Sequence, residues 1–146
     1  SDVSIAALTL DLAETIVATA MAHGQEQGFK PLTICATDAG GHIVLLKRSD
    51  GSSNMRPDVA LAKASGALCL GVSSRTIGEM AADRPTFITS LGPISPAGIV
   101  PAAGGVIFEN DEGVILGAVG ITGDTSDNDE ACALAGIAAA GLSPRN

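Results

Sequence analysis

The first amphipathic segment of the chain extends from residue 9 to about residue 27. Its apolar residues recur at helical spacing, whereas acidic and amide side chains occupy the remaining positions. Thr9 is a suitable N-cap, and Gly28 suits the position just after the helix because glycine adopts a left-handed backbone without strain. The pattern therefore predicts a helix with one broad apolar face. That face comprises Leu12, Ile16, Ala20 and His23, with Ala13, Val17 and Met21 beside them.

Four short β-prone runs form two pairs, and each pair is typical of a β-hairpin. Residues 32–38 and 42–48 are separated by Ala-Gly-Gly, and residues 105–109 and 114–122 are separated by Asn-Asp-Glu-Gly. Hairpins place neighbouring strands antiparallel, so these runs predict an antiparallel or mixed sheet.

Three further segments have the composition of helices. Residues 57–70 begin with a proline in the first turn and are rich in alanine, and residues 74–83 predict a short helix capped by Ser73 or Ser74. The last helix is expected from about residue 127 to residue 140, with Ser126 and Asp129 in a capping arrangement. Small side chains on these helices favour close packing on a sheet or on another subunit.

The segment from Pro85 to Gly105 combines prolines and glycines with short apolar pieces. Such a long irregular stretch inside a compact domain is typical of a functional loop or lid. The predicted order is thus helix, hairpin, helices, long loop, hairpin and helix. At 146 residues, this order indicates one α+β domain over residues 1–146, with helices covering the sheet.

Composition and charge narrow the functional classes. The formal net charge is −8, and no Lys or Arg occurs between Arg84 and Arg145, so we expect no nucleic-acid partner. The long uncharged run at residues 85–108 is interrupted repeatedly by prolines and glycines, so we expect no membrane partner. The three cysteines are widely spaced and fit structural roles in a reducing compartment, so a cytoplasmic protein is expected.

A group of charged residues in the middle of the chain is the strongest candidate for a binding site. Arg48, Asp50, Arg56 and Lys63 lie within sixteen positions, across a strand end, a loop and a helix. Arginine presents parallel donors, so this group could clamp a carboxylate or a propionate. The competing interpretation is a set of surface ion pairs that contribute little individually.

Two further observations concern ligation and proton transfer. His23 lies on the apolar side of the first helix, where a neutral imidazole could ligate a metal or haem iron, although a core or interface histidine is the alternative. No spacing typical of a catalytic zinc site occurs. Lys63 and Glu109 are the candidate proton carriers if the protein is an enzyme.

Ordered motifs along most of the chain resemble the GlcG/HbpS haem-binding-like family. The resemblance rests on D-A-G-G-H-I-V at residues 38–44, R-S-D-G at 48–51, A-L-A-K-A at 60–64, the glycine pair at 104–105, G-V-I-L-G-A-V-G-I-T-G at 113–123, and the pairs at 129–130 and 135–136. It implies a profilin-like, three-layer fold with an antiparallel sheet of about five strands flanked by helices. It also implies homo-oligomers, from dimers to octamers, with haem as the candidate cofactor.

Two functional hypotheses follow from the residues and the resemblance together. The first is a small-ligand-binding protein with an intersubunit pocket for haem or another planar carboxylated molecule, held by Arg48, Lys63 and neighbouring residues, with His23 on the iron. The alternative is a cofactor-independent catabolic enzyme, such as an isomerase, hydratase or lyase, acting on a small acidic or phenolic substrate. In that case Lys63 or Glu109 would carry the proton.

Overall fold

The computed structural model describes residues 6–145, and the described part of the chain contains five helices and five strands. The helices are α1 (Leu10–Glu26), α2 (Arg56–Leu70), α3 (Ser74–Asp83), α4 (Pro85–Leu91) and α5 (Ser126–Ala139). The strands are β1 (Thr33–Asp38), β2 (Ile43–Arg48), β3 (Gly105–Glu109), β4 (Ile115–Thr122) and β5 (Ser143–Arg145). A single 3₁₀ turn, Gly92–Ile94, follows α4.

The strands form one open sheet in the order β2-β1-β4-β3-β5, and every neighbouring pair is antiparallel. Both predicted hairpins, β1–β2 and β3–β4, are confirmed, and β1 and β4 join them at the centre of the sheet. The predicted α+β class with a five-stranded antiparallel sheet is therefore correct.

The helices cover both faces of the sheet and give three layers. On one face, α1 and α5 pack on each other and on the sheet around the larger apolar core, which includes Ile16, Ile34, Phe108, Val119 and Ile137. On the other face, α2 lies on a smaller cluster formed by Ala64, Ala67, Ile107 and Ala118. Both faces of the sheet carry apolar side chains, because successive side chains of a strand point to opposite sides.

The predicted helix ends are largely confirmed by their caps. The Thr9 hydroxyl accepts a hydrogen bond of 3.2 Å from the backbone N–H of Leu12, and Ser73 caps α3 by accepting from Thr76. Pro57 occupies the first turn of α2, as expected for a residue without a backbone N–H. No helix in the described part of the chain is long and apolar enough to cross a membrane.

The cap of α5 differs from the prediction. Thr125 is the N-cap, and its hydroxyl accepts from the backbone N–H of Asn128, whereas Ser126 is the first helical residue. Asp129 does not serve as the far half of a capping box. Its side chain is buried, with only 1% of the residue exposed, because it pairs with a lysine from the opposite layer.

Two elements were not predicted. The segment from Pro85 was expected to be irregular, but Pro85 begins α4 because a proline suits the first position of a helix as well as it interrupts one. The short strand β5 pairs with β3 and places Pro144 opposite Phe108 at the edge of the sheet. A proline is tolerated there because an edge strand leaves one side unpaired.

Two glycines allow α2 to lie directly on the sheet. Gly105 and Gly120 face each other across β3 and β4. A Cβ on Gly105 would overlap the carbonyl oxygen of Lys63, and a Cβ on Gly120 would overlap that of Ala60. The backbone of α2 thus approaches the backbone of the sheet with no side chain between them.

This contact predicts that Gly120→Ala destabilises the protein. The added methyl group has no room against Ala60, so the free energy of unfolding should fall by about 1–3 kcal/mol, the usual cost of overpacking a core. The measurement is urea denaturation followed by circular dichroism.

Gly92→Ala is the matched control, because its Cβ would meet no atom within 4 Å and its φ of −53° suits alanine. Equal stabilities of the two variants would contradict the proposed contact between α2 and the sheet.

Candidate functional site

A cavity of about 530 Å³ opens where the C-terminal end of α1, the α1–β1 connection and the end of β2 meet. We refer to it as the main cavity. It is lined by residues 29–32 and 48–50 and by Met21, Gly24 and Gln25 of α1. Its position follows from the fold: the connection after α1 leads into the start of β1, and the pairing of Thr33 with Arg48 places the end of β2 beside it.

The wall of the main cavity combines apolar and charged side chains. Met21, Phe29 and Leu32 supply apolar surface, whereas Lys30 and Arg48 supply two cations. The Ser49 hydroxyl donates a hydrogen bond of 3.0 Å to the Met21 sulfur and so holds the thioether in the wall. An apolar surface with a few oriented polar groups is typical of small-molecule sites.

Arg48 and Asp50, two of the predicted binding residues, both line the main cavity. Both are exposed, and within residues 6–145 the Arg48 side chain makes one hydrogen bond, a long one of 3.5 Å from its Nη1 to the side-chain oxygen of Asn54. The guanidinium is therefore accessible to an acidic group at the mouth of the cavity, with Asp50 as the one carboxylate in the lining.

His23 lies beside the main cavity rather than in its lining. The residue is half-buried on α1, and its ring packs edge-on against Phe29, with centroids 6.4 Å apart and planes at 73°. Since Phe29 itself lines the cavity, His23 lies one side chain away from it. Sequence reasoning found His23 but missed Met21, Phe29 and Lys30. The rarity of phenylalanine in this chain was the available signal for Phe29.

A second cavity of about 210 Å³ adjoins the first, and we refer to it as the small cavity. It is lined by Lys30, Pro31, residues 51–53, Arg56 and Gly123, so Lys30 and Pro31 are common to both cavities. Arg56 donates from Nη1 to the Thr122 hydroxyl at 2.6 Å, which attaches the start of α2 to the end of β4.

Lys63, in contrast, lies in the interior. Only 3% of it is exposed, and its Nζ donates to the carbonyl oxygen of Ile121 at 2.9 Å and to Asp129 Oδ2 at 3.4 Å. Burial lowers the pKa of Lys63 and raises the pKa of Asp129, and their mutual attraction opposes both shifts. The pair joins α2 on one face of the sheet to α5 on the other.

The two candidate proton carriers are not brought together. Lys63 lines neither cavity, and Glu109 lies on β3, where its carboxylate is 3.7 Å from Nη1 of Arg145 on the edge strand β5. Strands β1 and β4 separate β3 from β2, which carries Arg48. The catalytic roles of Lys63 and Glu109 and the ligand-binding role of Lys63 therefore stay predictions.

Asp124 fixes the backbone between the two cavities. Its Oδ1 accepts the Lys30 backbone N–H at 2.8 Å, and its Oδ2 accepts from the Asn128 side chain at 2.7 Å. These hydrogen bonds, that of Lys30 first, lower the pKa of Asp124 to about 2. The carboxylate therefore stays ionised at neutral pH and attaches the α1–β1 connection to the start of α5.

The cysteines and acidic residues do not form a metal centre. Burial raises the pKa of the Cys35 thiol to about 12 and that of Cys132 to about 11, so neither thiol ionises readily. In residues 6–145, no group of three or more His, Cys, Asp or Glu side chains is arranged to hold a metal ion.

Comparisons with known proteins agree with this architecture. A family model described as haem degrading protein HbpS-like matches residues 8–138. No curated protein matches the sequence.

Among solved structures, the PduOC complex with haem superposes with a TM-score of 0.85 at 19% identity, covering 96% of this chain and 99% of that one. The ORFY protein of Klebsiella pneumoniae gives 0.82 at 22% identity, covering 97% and 96%. HbpS gives 0.77 at 23% identity, covering 93% and 92%. These superpositions establish a common fold.

The buried pair predicts a large loss of stability in Lys63→Met. This change leaves the Asp129 carboxylate buried without its cation, which costs about 3–5 kcal/mol in comparable pairs. Adding Asp129→Asn removes the orphaned charge, so the double variant should be more stable than Lys63→Met alone. Urea denaturation of the single and double variants measures both effects.

Lys47→Met is the matched control for the loss of a lysine, because Lys47 is exposed on β2, and its effect should stay within about 0.5 kcal/mol. A double variant less stable than Lys63→Met would contradict the interpretation of the pair.

The lowered pKa of Asp124 predicts a contribution to stability that depends on pH. A carboxyl whose pKa falls from 3.8 to about 2 on folding stabilises the folded state above pH 3.8, and the contribution is lost as the pH falls towards 2. Asp124→Asn should therefore be less stable than the parent protein at pH 6, and the difference should shrink between pH 4 and pH 2. Denaturation at a series of pH values measures this difference.

Asp111→Asn, in the exposed turn between β3 and β4, serves as the control. A difference between parent and Asp124→Asn that is constant across this range would refute the assignment.

Proposed function

Since the chain belongs to the HbpS-like family, we propose that it binds haem, or another planar molecule bearing carboxylates, in the main cavity. The observation that carries the proposal is the combination of apolar wall and cations in one cavity. Its volume of about 530 Å³ falls within the range of about 300–1,000 Å³ that is usual for small-molecule sites.

The lining suits the two halves of such a ligand. Met21, Phe29 and Leu32 offer a surface for a flat apolar ring system, and a thioether and an aromatic ring both pack favourably against one. Arg48 and Lys30 would pair with the carboxylates, and the exposed, loosely held guanidinium of Arg48 can present two parallel donors. Asp50 beside Arg48 would orient it.

His23 is the residue of this region best suited to ligate haem iron. Imidazole is a common haem ligand, and α1 holds His23 half-buried against Phe29, which lines the main cavity. When bound, haem would supply a redox-active iron centre. The chain itself would provide the imidazole ligand, the apolar surface that packs against the ring and the cations that pair with the carboxylates.

A second copy of the chain would complete the pocket. Drug-sized ligands are typically buried over about 70–90% of their surface, whereas Gln25, Lys30, Arg48 and Asp50 leave one side of the main cavity open. Strand β2, which ends at the main cavity, is an edge strand of the sheet and is open to a second copy on one side. We therefore place the pocket between subunits of a homo-oligomer.

The geometry favours binding over proton transfer. Lys63 is paired with Asp129, and Glu109 lies near Arg145, so neither candidate proton carrier faces a cavity together with Arg48. The cofactor-independent isomerase, hydratase or lyase has no comparable support.

Titration with haemin tests the proposal. We expect the Soret band of haemin to shift relative to free haemin and the shift to saturate, and His23→Ala should alter or abolish that shift because it removes the iron ligand. Arg48→Gln should weaken binding by about tenfold, the equivalent of one charged hydrogen bond. The measurements are absorption spectra and sedimentation of the protein with and without haemin.

Lys47→Gln is the matched control, since Lys47 is an exposed cation of the same strand outside both cavities. A Soret band that stays identical to that of free haemin when the parent protein is added would eliminate the haem proposal. A protein that sediments as a monomer with haemin bound would eliminate the intersubunit pocket alone.

A further inference from the structure

The small cavity is cationic within an acidic protein. The chain carries a formal net charge of −8, yet the small cavity is lined by Lys30 and Arg56 and by no carboxylate. The main cavity differs, because Asp50 contributes a negative charge to its lining. Asp124 accepts the Lys30 backbone N–H and offsets part of the Lys30 charge, so anion binding in the small cavity depends chiefly on Arg56.

Arg56 has capacity to bind a ligand. Its guanidinium carries five N–H donors, and the bond from Nη1 to the Thr122 hydroxyl uses one of them while fixing the side chain. Arg56 is half-buried, so water screens its charge less than that of an exposed arginine. A held guanidinium loses less conformational entropy when it pairs with an acidic group.

The wall between the two cavities is rigid and thin. It consists of Lys30 and Pro31, and Asp124 holds the Lys30 backbone N–H at 2.8 Å. Gly123 packs against this wall so closely that a Cβ there would overlap the Pro31 carbonyl oxygen. One ligand can therefore extend past this wall from the main cavity into the small one, with Lys30 lining both.

The size of the small cavity fits a substituent rather than a complete ligand. Its volume of about 210 Å³ is below the range of about 300–1,000 Å³ for small-molecule sites, whereas the adjoining main cavity is within it. A carboxylate on a short flexible arm matches both the volume and the charge.

We propose that the small cavity is a subsite for a carboxylate arm of the ligand whose ring occupies the main cavity. The inference rests on the proposed function and adds to it the ligand class, namely planar molecules with at least two separated acidic arms. Arg48 binds one arm at the mouth of the main cavity, and Arg56 with Lys30 binds the other.

The test compares haemin with its dimethyl ester, in which both carboxylates are blocked, on the full chain. The parent protein should prefer haemin, and Arg56→Gln should reduce that preference by about tenfold while leaving the affinity for the ester unchanged. Arg56→Lys, which keeps the charge, should retain most of the preference. Lys47→Gln serves again as the control and should alter neither affinity.

The ratio of the two affinities separates a binding role from a structural one. If Arg56→Gln weakens haemin and the ester equally, Arg56 acts on the fold through Thr122 and the subsite is refuted. An unchanged preference in Arg56→Gln also refutes it, while haem binding itself stands. If the parent protein binds neither haemin nor the ester, the proposed function fails and the subsite with it.

Discussion

The direct contact of α2 with the sheet is the constraint on which the rest of the structure depends. Gly105 and Gly120 pair across β3 and β4, and each faces a backbone carbonyl of α2. This contact sets the distance between α2 and the sheet. That distance in turn determines which residues of the sheet the side chains of Arg56 and Lys63 can contact. Arg56 meets Thr122 at the end of β4, and Lys63 meets the carbonyl of Ile121 one residue earlier. A larger residue at either glycine would push α2 away from the sheet. Both polar contacts therefore require glycine at residues 105 and 120.

The same constraint extends to the cavities through a short series of polar contacts. Lys63 joins α2 to Asp129, whose other oxygen accepts the backbone N–H of Asp124 at 3.0 Å. The Asp124 carboxylate in turn holds the Lys30 backbone between the main and small cavities. A buried ion pair is weak support for stability in general, since apolar replacements often perform as well. Here the ion pair positions other elements instead. It brings the start of α5 and the α1–β1 connection to one end of the sheet, beside the charged ends of β2 and α2.

Much of this fold is predictable from local sequence. Helical spacing with Thr9 and Ser73 as caps located α1 and α3, and glycine-containing turns located both hairpins. What was not predictable depends on distant partners. Lys63 gives no local sign of an acid 66 positions away, and the same pairing removes Asp129 from the predicted cap. Strand β5 has only three residues, including a proline, and pairs with β3 as an edge strand. Likewise, the sequence predicts Arg48 and Asp50 as a cluster, but the apolar wall beside them comes from α1 and the α1–β1 connection.

The low aromatic content of the whole chain argues against a haem-type ligand, but the composition of the main cavity does not. The chain has three phenylalanines, no tyrosine and no tryptophan, and Phe108 is buried in the larger core while Phe87 lies outside it against Arg84. The remaining one, Phe29, lines the main cavity and contacts the half-buried His23. The thioether of Met21, held by Ser49, supplies a second polarisable group on the same wall. Dispersion contacts with a ring act only at van der Waals distance, so the composition of the cavity wall decides whether a flat ligand is held. The alanine and glycine residues elsewhere in the chain serve the close packing of α2.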